Sequence, residues 1–298
     1  MNGTEKNGTE KWDFGEEGQI APGLTAIRLL GGGSAYEAWL AFDEITYAPV
    51  VVKVLRPGQV TDRASLRGLR REVRALAEVN HPVVVRGLRH DVEGPRPHVV
   101  LEHIDGPRLS SLVRRYGPLQ EQQYLSLAID IASALHYFAH LGYVHLDIKP
   151  SNIIMGAPAR LIDLSVARTV DEAAGLRHPI GTDAYMAPEQ CEPPETGTPG
   201  TASDVWGLGA TLFEAIAGFK AFEEGASRAD ALEDRFPQVA SAPYELPDRV
   251  PAEVAKVVYA ALAPSPEDRP APREIAEALQ PVLERQPVGR LAGFKLRR

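Results

Sequence analysis

Val144-His145-Leu146-Asp147-Ile148-Lys149-Pro150-Ser151-Asn152, followed a few residues later by Leu161-Ile162-Asp163-Leu164-Ser165, is the stretch on which the reading of this chain turns. Asp147, Lys149, Asn152 and Asp163 fall between positions 147 and 163, among Val, Ile and Leu neighbours. Charged groups set among apolar residues must pair or bind metal, because an isolated buried charge is too costly to keep. A base, a cation and two hard oxygen ligands are what Mg2+-assisted phosphoryl transfer asks of a protein. That chemistry needs positioning and charge neutralisation more than covalent help.

Upstream lies Leu30-Gly31-Gly32-Gly33-Ser34-Ala35-Tyr36-Glu37-Ala38. Glycines let a backbone approach phosphates closely, so Gly31, Gly32, Gly33 and Ser34 are candidate phosphate contacts. Tyr36 stands where a G-x-G-x-x-G pattern has its third glycine. The run sits between two strands and not before a helix, which speaks against a dinucleotide-binding fingerprint. Next comes Val50-Val51-Val52-Lys53, an apolar strand ending in a cation that suits phosphate oxygens, and Glu72 lies nineteen residues on, where it can orient Lys53. Downstream are Gly181-Thr182-Asp183-Ala184-Tyr185-Met186-Ala187-Pro188-Glu189, then Ser203-Asp204-Val205-Trp206-Gly207-Leu208-Gly209 and Pro266-Glu267-Asp268-Arg269-Pro270. Singly, a glycine run is a turn, a strand lysine faces water and a helix glutamate is solvated; the ordered set is decisive.

The surrounding pattern is β-rich from about position 20 to 101, including Val-rich strands at 49–55 and 98–102. One amphipathic helix, over 65–79, interrupts it and stops at Asn80-His81-Pro82. From Gly106 onward the periodicity is helical, with helices predicted over 120–140, 202–217, 252–262 and 272–280, the last closed by Pro281 just past its end. Short strands are predicted at 152–155 and 160–163. A β lobe preceding an α lobe is an α+β arrangement. The predicted organisation is a polar disordered tail over 1–17, a first lobe over 18–103, a second over 104–285 and a basic tail over 286–298.

The chain has 298 residues and a net charge of −8, which argues against a nucleic-acid partner, since that needs a basic face. Its single cysteine, Cys191, excludes an intramolecular disulfide and fits a cytoplasmic location. No apolar run is long enough to span a bilayer. The N-terminus repeats Asn-Gly-Thr-Glu-Lys at 2–6 and 7–11; without a secretion signal, the Asn-Gly-Thr triplets are read as chance. His136 and His140 have the spacing of helical zinc ligands, yet no third ligand accompanies them, and they read as polar helix positions. The basic tail, with Arg290, Lys295, Arg297 and Arg298, reads as solvated.

From about position 18 to 283 the landmarks resemble, in order, those of the Hanks-type (eukaryotic-like) bacterial Ser/Thr protein kinase catalytic domain, PknB-like. The resemblance implies a bilobal protein kinase-like fold: a small N-lobe with an antiparallel β-sheet and one helix, and a larger, mainly α-helical C-lobe. It implies transfer of the ATP γ-phosphoryl to a protein Ser/Thr hydroxyl, with ATP and Mg2+ as cofactors and Mn2+ as a substitute. By the same resemblance Lys53 binds the α/β-phosphates and Glu72 orients it. Asp147 takes or orients the hydroxyl proton, Lys149 neutralises the γ-phosphate, Asn152 and Asp163 hold Mg2+, and Thr182 tethers the catalytic loop. Ala38 and Val51 roof the adenine; Leu101 is the gatekeeper, with Glu102, His103 and Ile104 as the hinge. Glu189 and Arg269 form a buried ion pair, and Asp204 braces the catalytic loop. Implied partners are ATP, a protein substrate, and a regulatory protein or a second copy; a membrane enters only if the parent chain continues past Arg298.

Several positions depart from the family pattern. Leu146 replaces an arginine, and Leu164-Ser165 replaces Phe-Gly. Between Asp163 and Gly181 the only hydroxyls are Ser165 and Thr169. Ala38 and Val51 exchange the sizes of the family's roof residues. These departures leave the chemistry's residues in place and predict control without activation-loop phosphorylation. The alternatives are a pseudokinase that binds nucleotide without turnover, and a small-molecule kinase, which the Ala-Pro-Glu segment and Arg269 disfavour.

Overall fold

Period-two alternation builds the N-lobe. In the computed structural model, which describes residues 10–15, 18–193, 195–226 and 228–286, six antiparallel strands form one sheet. They are β1 (Gln19–Ala21), β2 (Leu24–Gly32), β3 (Tyr36–Asp43), β4 (Ala48–Leu55), β5 (Gly87–Asp91) and β6 (His98–Glu102), in the order β1-β2-β3-β4-β6-β5. On β4 the buried Val50, Val52 and Val54 join Ile20, Leu24, Ala41 and Val100 in a core on one face. Val51 and Lys53 therefore face the other way, because successive side chains alternate across a strand. The β3–β4 hairpin is closed by the fully buried Asp43, which accepts from the Ile45 amide and the Thr46 hydroxyl and takes a two-pronged contact from Arg89 at 2.6 and 2.7 Å. That guanidinium holds the Asp43 carboxyl well below the usual carboxylate range.

Helix α1 (Arg63–Glu78) begins two residues before the predicted start, because Asp62 caps it by accepting the Ser65 amide at 2.7 Å. Its buried stripe is Leu69, Glu72 and Ala75. The three-residue spacing puts the carboxylate on the face turned to the sheet.

The C-lobe comprises α2 (Leu109–Tyr116), α3 (Glu121–His140), β7 (Tyr143–Val144), β8 (Ile153–Ile154), β9 (Arg160–Leu161), β10 (Arg168–Thr169), α4 (Val170–Ala174), α5 (Pro188–Cys191), α6 (Thr201–Ala217), α7 (Leu232–Arg235), α8 (Ala252–Ala261) and α9 (Pro272–Glu284). The paired β7/β10 and β8/β9 are short ribbons that hold the loops carrying Asp147 and Asp163. Helix α6 is buried along most of its length, and α3 packs between it and α9. The architecture is an antiparallel β-sheet N-lobe on a helical C-lobe, α+β, the bilobal arrangement that the resemblance implies.

Two expectations are corrected. Pro281 lies inside α9 and does not end it. Proline forfeits one backbone hydrogen bond, but Val282 beyond it is buried in the core, and that burial carries the helix another turn. Within the stretch read as a polar tail, residues 10–15 pack on the sheet: Phe14 is 7% exposed and the Trp12 indole donates to the Leu55 carbonyl at 2.7 Å. Two large aromatic rings within three residues bury enough apolar area to order a short segment whose other residues are polar. Residues 1–9 and the basic tail from 287 on lie outside the described residues. His136 and His140 are solvent-exposed, and among the described residues no helix is long and apolar enough to cross a membrane.

Candidate active site

A cavity of about 420 Å³ opens between the lobes, lined among others by Leu30, Ala38, Val51, Lys53, Leu101, Glu102, His103, Ile104 and Asp163. Ala38 on β3 faces Lys53 in register, and Val51 lies two residues before Lys53 on the same face. The Glu102 carboxylate is tied to Arg86 and Arg160. Gly31 and Gly32 end β2 and Gly33 and Ser34 open the β2–β3 turn; none of the four is among the residues lining this cavity, and the turn is closed by a Gly33 amide to Tyr36 carbonyl bond at 3.0 Å. A Cβ at position 32 would sit 2.4 Å from the Tyr36 carbonyl oxygen, so only glycine fits there.

Alternation on β4 and the helical stripe of α1 bring Lys53 and Glu72 together. Lys53 Nζ lies 2.6 Å from Glu72 Oε1 and 2.9 Å from Asp163 Oδ1. Burial opposes the lysine's charge, but the two carboxylates outweigh it and hold the ammonium protonated above the ordinary lysine range. Burial likewise pushes the Asp163 carboxyl up, and Lys53 more than reverses this, leaving it ionised well below the ordinary range. Glu72, fully buried, is pushed up by burial, with Lys53 pulling against it. Asp163 adopts φ 69° and Leu146 φ 62°. Left-handed backbone at a non-glycine residue costs about 1–3 kcal/mol and persists only where the surroundings impose it. Here Asp204, at the start of α6, accepts the His145 and Leu146 amides at 2.7 Å each. Burial pushes the Asp204 carboxyl up to about 7 against the pull of those two donors.

Below the cavity, Asp147 Oδ1 accepts from the Thr182 hydroxyl at 2.8 Å, and Oδ2 lies 2.7 Å from Lys149 Nζ. Lys149 also donates to the Thr182 hydroxyl oxygen at 2.5 Å. The Asn152 amide donates to the Asp147 carbonyl and Oδ2 at 2.9 and 3.0 Å. The carboxylate is thus held by three side chains, Thr182, Lys149 and Asn152. Glu189 and Arg269 form a buried two-pronged pair at 2.6 and 2.9 Å; Ser203 donates to the same carboxylate and Trp206 lies under the guanidinium at 5.0 Å.

Three contributors carry no signal of their own in the sequence or were read only as departures. Gln190 donates to both the Leu146 and Ile180 carbonyls at 2.9 Å, stapling the loop that carries Asp147 to the segment before Gly181. Gln238 donates to the Asp183 and Met186 carbonyls. Tyr36 places its ring 5.2 Å from Lys53 Nζ, and burial, with Glu72 nearby, pushes its phenol up to about 12. An aromatic ring in place of a glycine was the one signal that could have pointed to this contact.

Among the described residues no group of three or more His, Cys, Asp or Glu could hold a metal ion. Asn152 and Asp163 offer one amide carbonyl and one ionised carboxylate. Mg2+ commonly binds through one or two such protein oxygens, with substrate phosphates and water completing its shell, so these two donors fit it.

A model of the protein kinase domain matches residues 24–280, and the chain belongs to this family. It is 31% identical over 250 residues to the serine/threonine-protein kinase PknB of Mycobacterium leprae, covering 81% of this chain and 40% of that protein. It is 36% identical over 252 residues to PknK of Mycobacterium tuberculosis, covering 80% and 22%. It is 33% identical over 268 residues to the probable serine/threonine-protein kinase PkwA of Thermomonospora curvata, covering 89% and 35%. The chain thus spans well under half the length of these relatives.

Proposed function

We propose that this chain is a Mg2+·ATP-dependent serine/threonine kinase that moves the γ-phosphoryl of ATP to a protein hydroxyl. The observation that carries the reading is that both polar clusters are complete at once: Lys53 bridges Glu72 and Asp163, while Asp147 is held by Lys149, Asn152 and Thr182. Lys53 neutralises phosphate oxygens of the nucleotide and is kept charged by its two carboxylates. Asp147 accepts the proton of the incoming serine or threonine hydroxyl and orients its oxygen. Lys149, alongside, offsets negative charge on the transferring group. Asn152 and Asp163 hold Mg2+, which neutralises phosphate charge when bound. Ala38, Val51 and Leu101 enclose the adenine, with Glu102, His103 and Ile104 along its edge, and Gly31 to Ser34 cover the phosphates. Thr182 links the acceptor's platform to the catalytic base.

The test is incorporation of labelled phosphate from Mg2+·ATP into a Ser/Thr-bearing protein by the purified chain. Lys53→Ala, Asp147→Asn and Asp163→Asn are each expected to lower turnover by roughly 10²–10³, the usual loss for one group that stabilises developing charge, with the fold retained by circular dichroism. Wild-type-like turnover in Asp147→Asn or Asp163→Asn would sink the assignment. Nucleotide binding without any turnover would establish the pseudokinase reading instead.

A further inference from the structure

The segment around Trp12 packs on the N-lobe sheet and contacts groups that hold the glycine-rich turn. The Trp12 indole donates to the Leu55 carbonyl at 2.7 Å, and its main-chain amide donates to Glu37 Oε1 at 3.2 Å. Phe14 packs edge-on against Trp39 at 5.2 Å. The Arg96 guanidinium covers the Trp12 and Phe14 rings at 5.1 and 5.2 Å and donates to the Gln19 and Ile20 carbonyls. Glu37 is fully buried; its Oε1 also receives Arg56 at 3.3 Å and its Oε2 receives the Trp39 indole at 2.9 Å. Arg56, itself 8% exposed, donates through Nε to the Gly33 carbonyl at 2.7 Å and through its main-chain amide to the Ala35 carbonyl at 2.9 Å. It also reaches the Glu10 carbonyl. An unbroken chain of contacts therefore runs from the segment through Glu37 and Arg56 to two carbonyls of the turn.

A peptide unit is planar and trans, so its carbonyl and amide point in opposite directions. Turning the Gly33 carbonyl onto Arg56 fixes the direction of the Ser34 amide, and turning the Ala35 carbonyl onto Arg56 fixes that of the Tyr36 amide. The Ser34 amide is a donor of the segment that the proposed function places over the phosphates, and the Tyr36 amide adjoins it at the start of β3. We propose that residues 10–14 act as a strap that positions the glycine-rich turn for nucleotide, with Trp12, Glu37 and Arg56 as positioning residues. The inference rests on the reading of the interlobe cavity as the ATP site. A strap of this kind makes the segment before the sheet a handle: whatever lifts Trp12 releases Glu37 and slackens the turn.

The experiment uses the full chain and four variants: Trp12→Ala, Trp12→Phe, Arg56→Lys, and Trp12→Ala combined with Arg56→Lys. Mg2+·ATP dissociation constants are measured by calorimetry, and amide hydrogen exchange over residues 31–36 is measured without nucleotide. Trp12→Ala and Arg56→Lys are each expected to weaken ATP about five- to tenfold, the worth of one hydrogen-bonded link, and to speed exchange in the turn while leaving α3 and α6 unchanged. The double variant should be weaker than either single by much less than the product of their effects, because both cut one chain of contacts. Trp12→Phe keeps the ring packing and loses the indole donor, so it should fall between Trp12→Ala and wild type. Should Trp12→Ala not fold, Trp12→Phe and Arg56→Lys carry the same comparison. Folded variants with ATP affinity within twofold of wild type and unchanged exchange in the turn overturn the strap, as do multiplicative effects in the double variant. A wild-type chain that fails to bind ATP counts against the site, and the exchange measurement still judges the strap.

Discussion

Ala38 and Val51 reverse the order of sizes that the family resemblance implies for the two roof positions. The register pairs Ala38 with Lys53 and Leu40 with Val51, so Ala38 and Val51 are diagonal neighbours on one face of the β3–β4 pair. Both line the interlobe cavity. Diagonal side chains on a sheet lie close enough to share a contact surface, and volume-conserving exchanges are the tolerated kind. Ala38→Val alone is expected to overpack the roof and weaken ATP by about 1–3 kcal/mol. Val51→Ala should leave a small void and a milder loss, and the double variant should recover much of the affinity. ATP dissociation constants around this cycle check it; strictly additive effects would mean that the two residues do not share the adenine.

At the scale of the element, the segment after Asp163 is anchored by burial. Leu146, 2% exposed, clusters with Val144 and Ala173, and Val166, Val170, Leu176 and Ile180 pack around them. In the family pattern an arginine at this position can hold a phosphorylated loop by charge; here an apolar side chain holds α4 directly. The Arg74–Glu172 pair, 2.6 Å long but half-exposed, adds under about 1 kcal/mol. Arg168, on the strand paired with β7, is 6% exposed, and burial with Arg71 nearby pulls it down to about 10. Thr169 is occupied as the cap of α4, accepting the Glu172 amide at 3.2 Å. Thr169→Asn keeps a capping side chain and removes the phosphate acceptor, so it and phosphatase treatment should both leave turnover within twofold of wild type. Leu146→Ala should cost about 2–5 kcal/mol of stability and lower turnover. A large loss of activity in Thr169→Asn would show that loop phosphorylation is required after all.

Across the whole molecule, Glu189 and Arg269 connect α5 to the loop before α9, eighty residues apart in sequence and both fully buried. Removing one partner of a buried pair strands a charge in the interior, at about 3–5 kcal/mol. Arg269→Ala should therefore lower the urea midpoint sharply. Arg269→Met combined with Glu189→Leu, which leaves no lone charge, should fall much less. If the double variant proved the weaker, the pair would have to contribute more than its own desolvation consumes.

How much of this was legible beforehand depends on the range of the interaction. Alternation along 50–54 is a local property, and it alone puts Lys53 on the face opposite the valine core. The helical stripe of Leu69, Glu72 and Ala75 is equally local, and so are the caps and breaks that bound most helices. The motif positions between 147 and 163, with Thr182 and Asp204, stand in short runs whose residue types announce charge in apolar surroundings. Packing decided the rest. Trp12 directly follows a polar, repetitive segment, and only the sheet surface near Leu55 and Glu37 makes it an anchor. Pro281 reads as a stop until Val282 finds the core on the far side of it. Gln190 is an ordinary polar residue until the fold brings the Leu146 and Ile180 carbonyls to its amide. Leu146 likewise reads as a lost arginine until the fold closes α4 over it. Local periodicity and spacing are written along the chain because they involve neighbours within a turn or a strand. Which distant surface an aromatic ring, a glutamine or a leucine meets is set only when the chain has closed on itself, since burial and hydrogen bonding reward proximity in space and carry no mark in the order of residues.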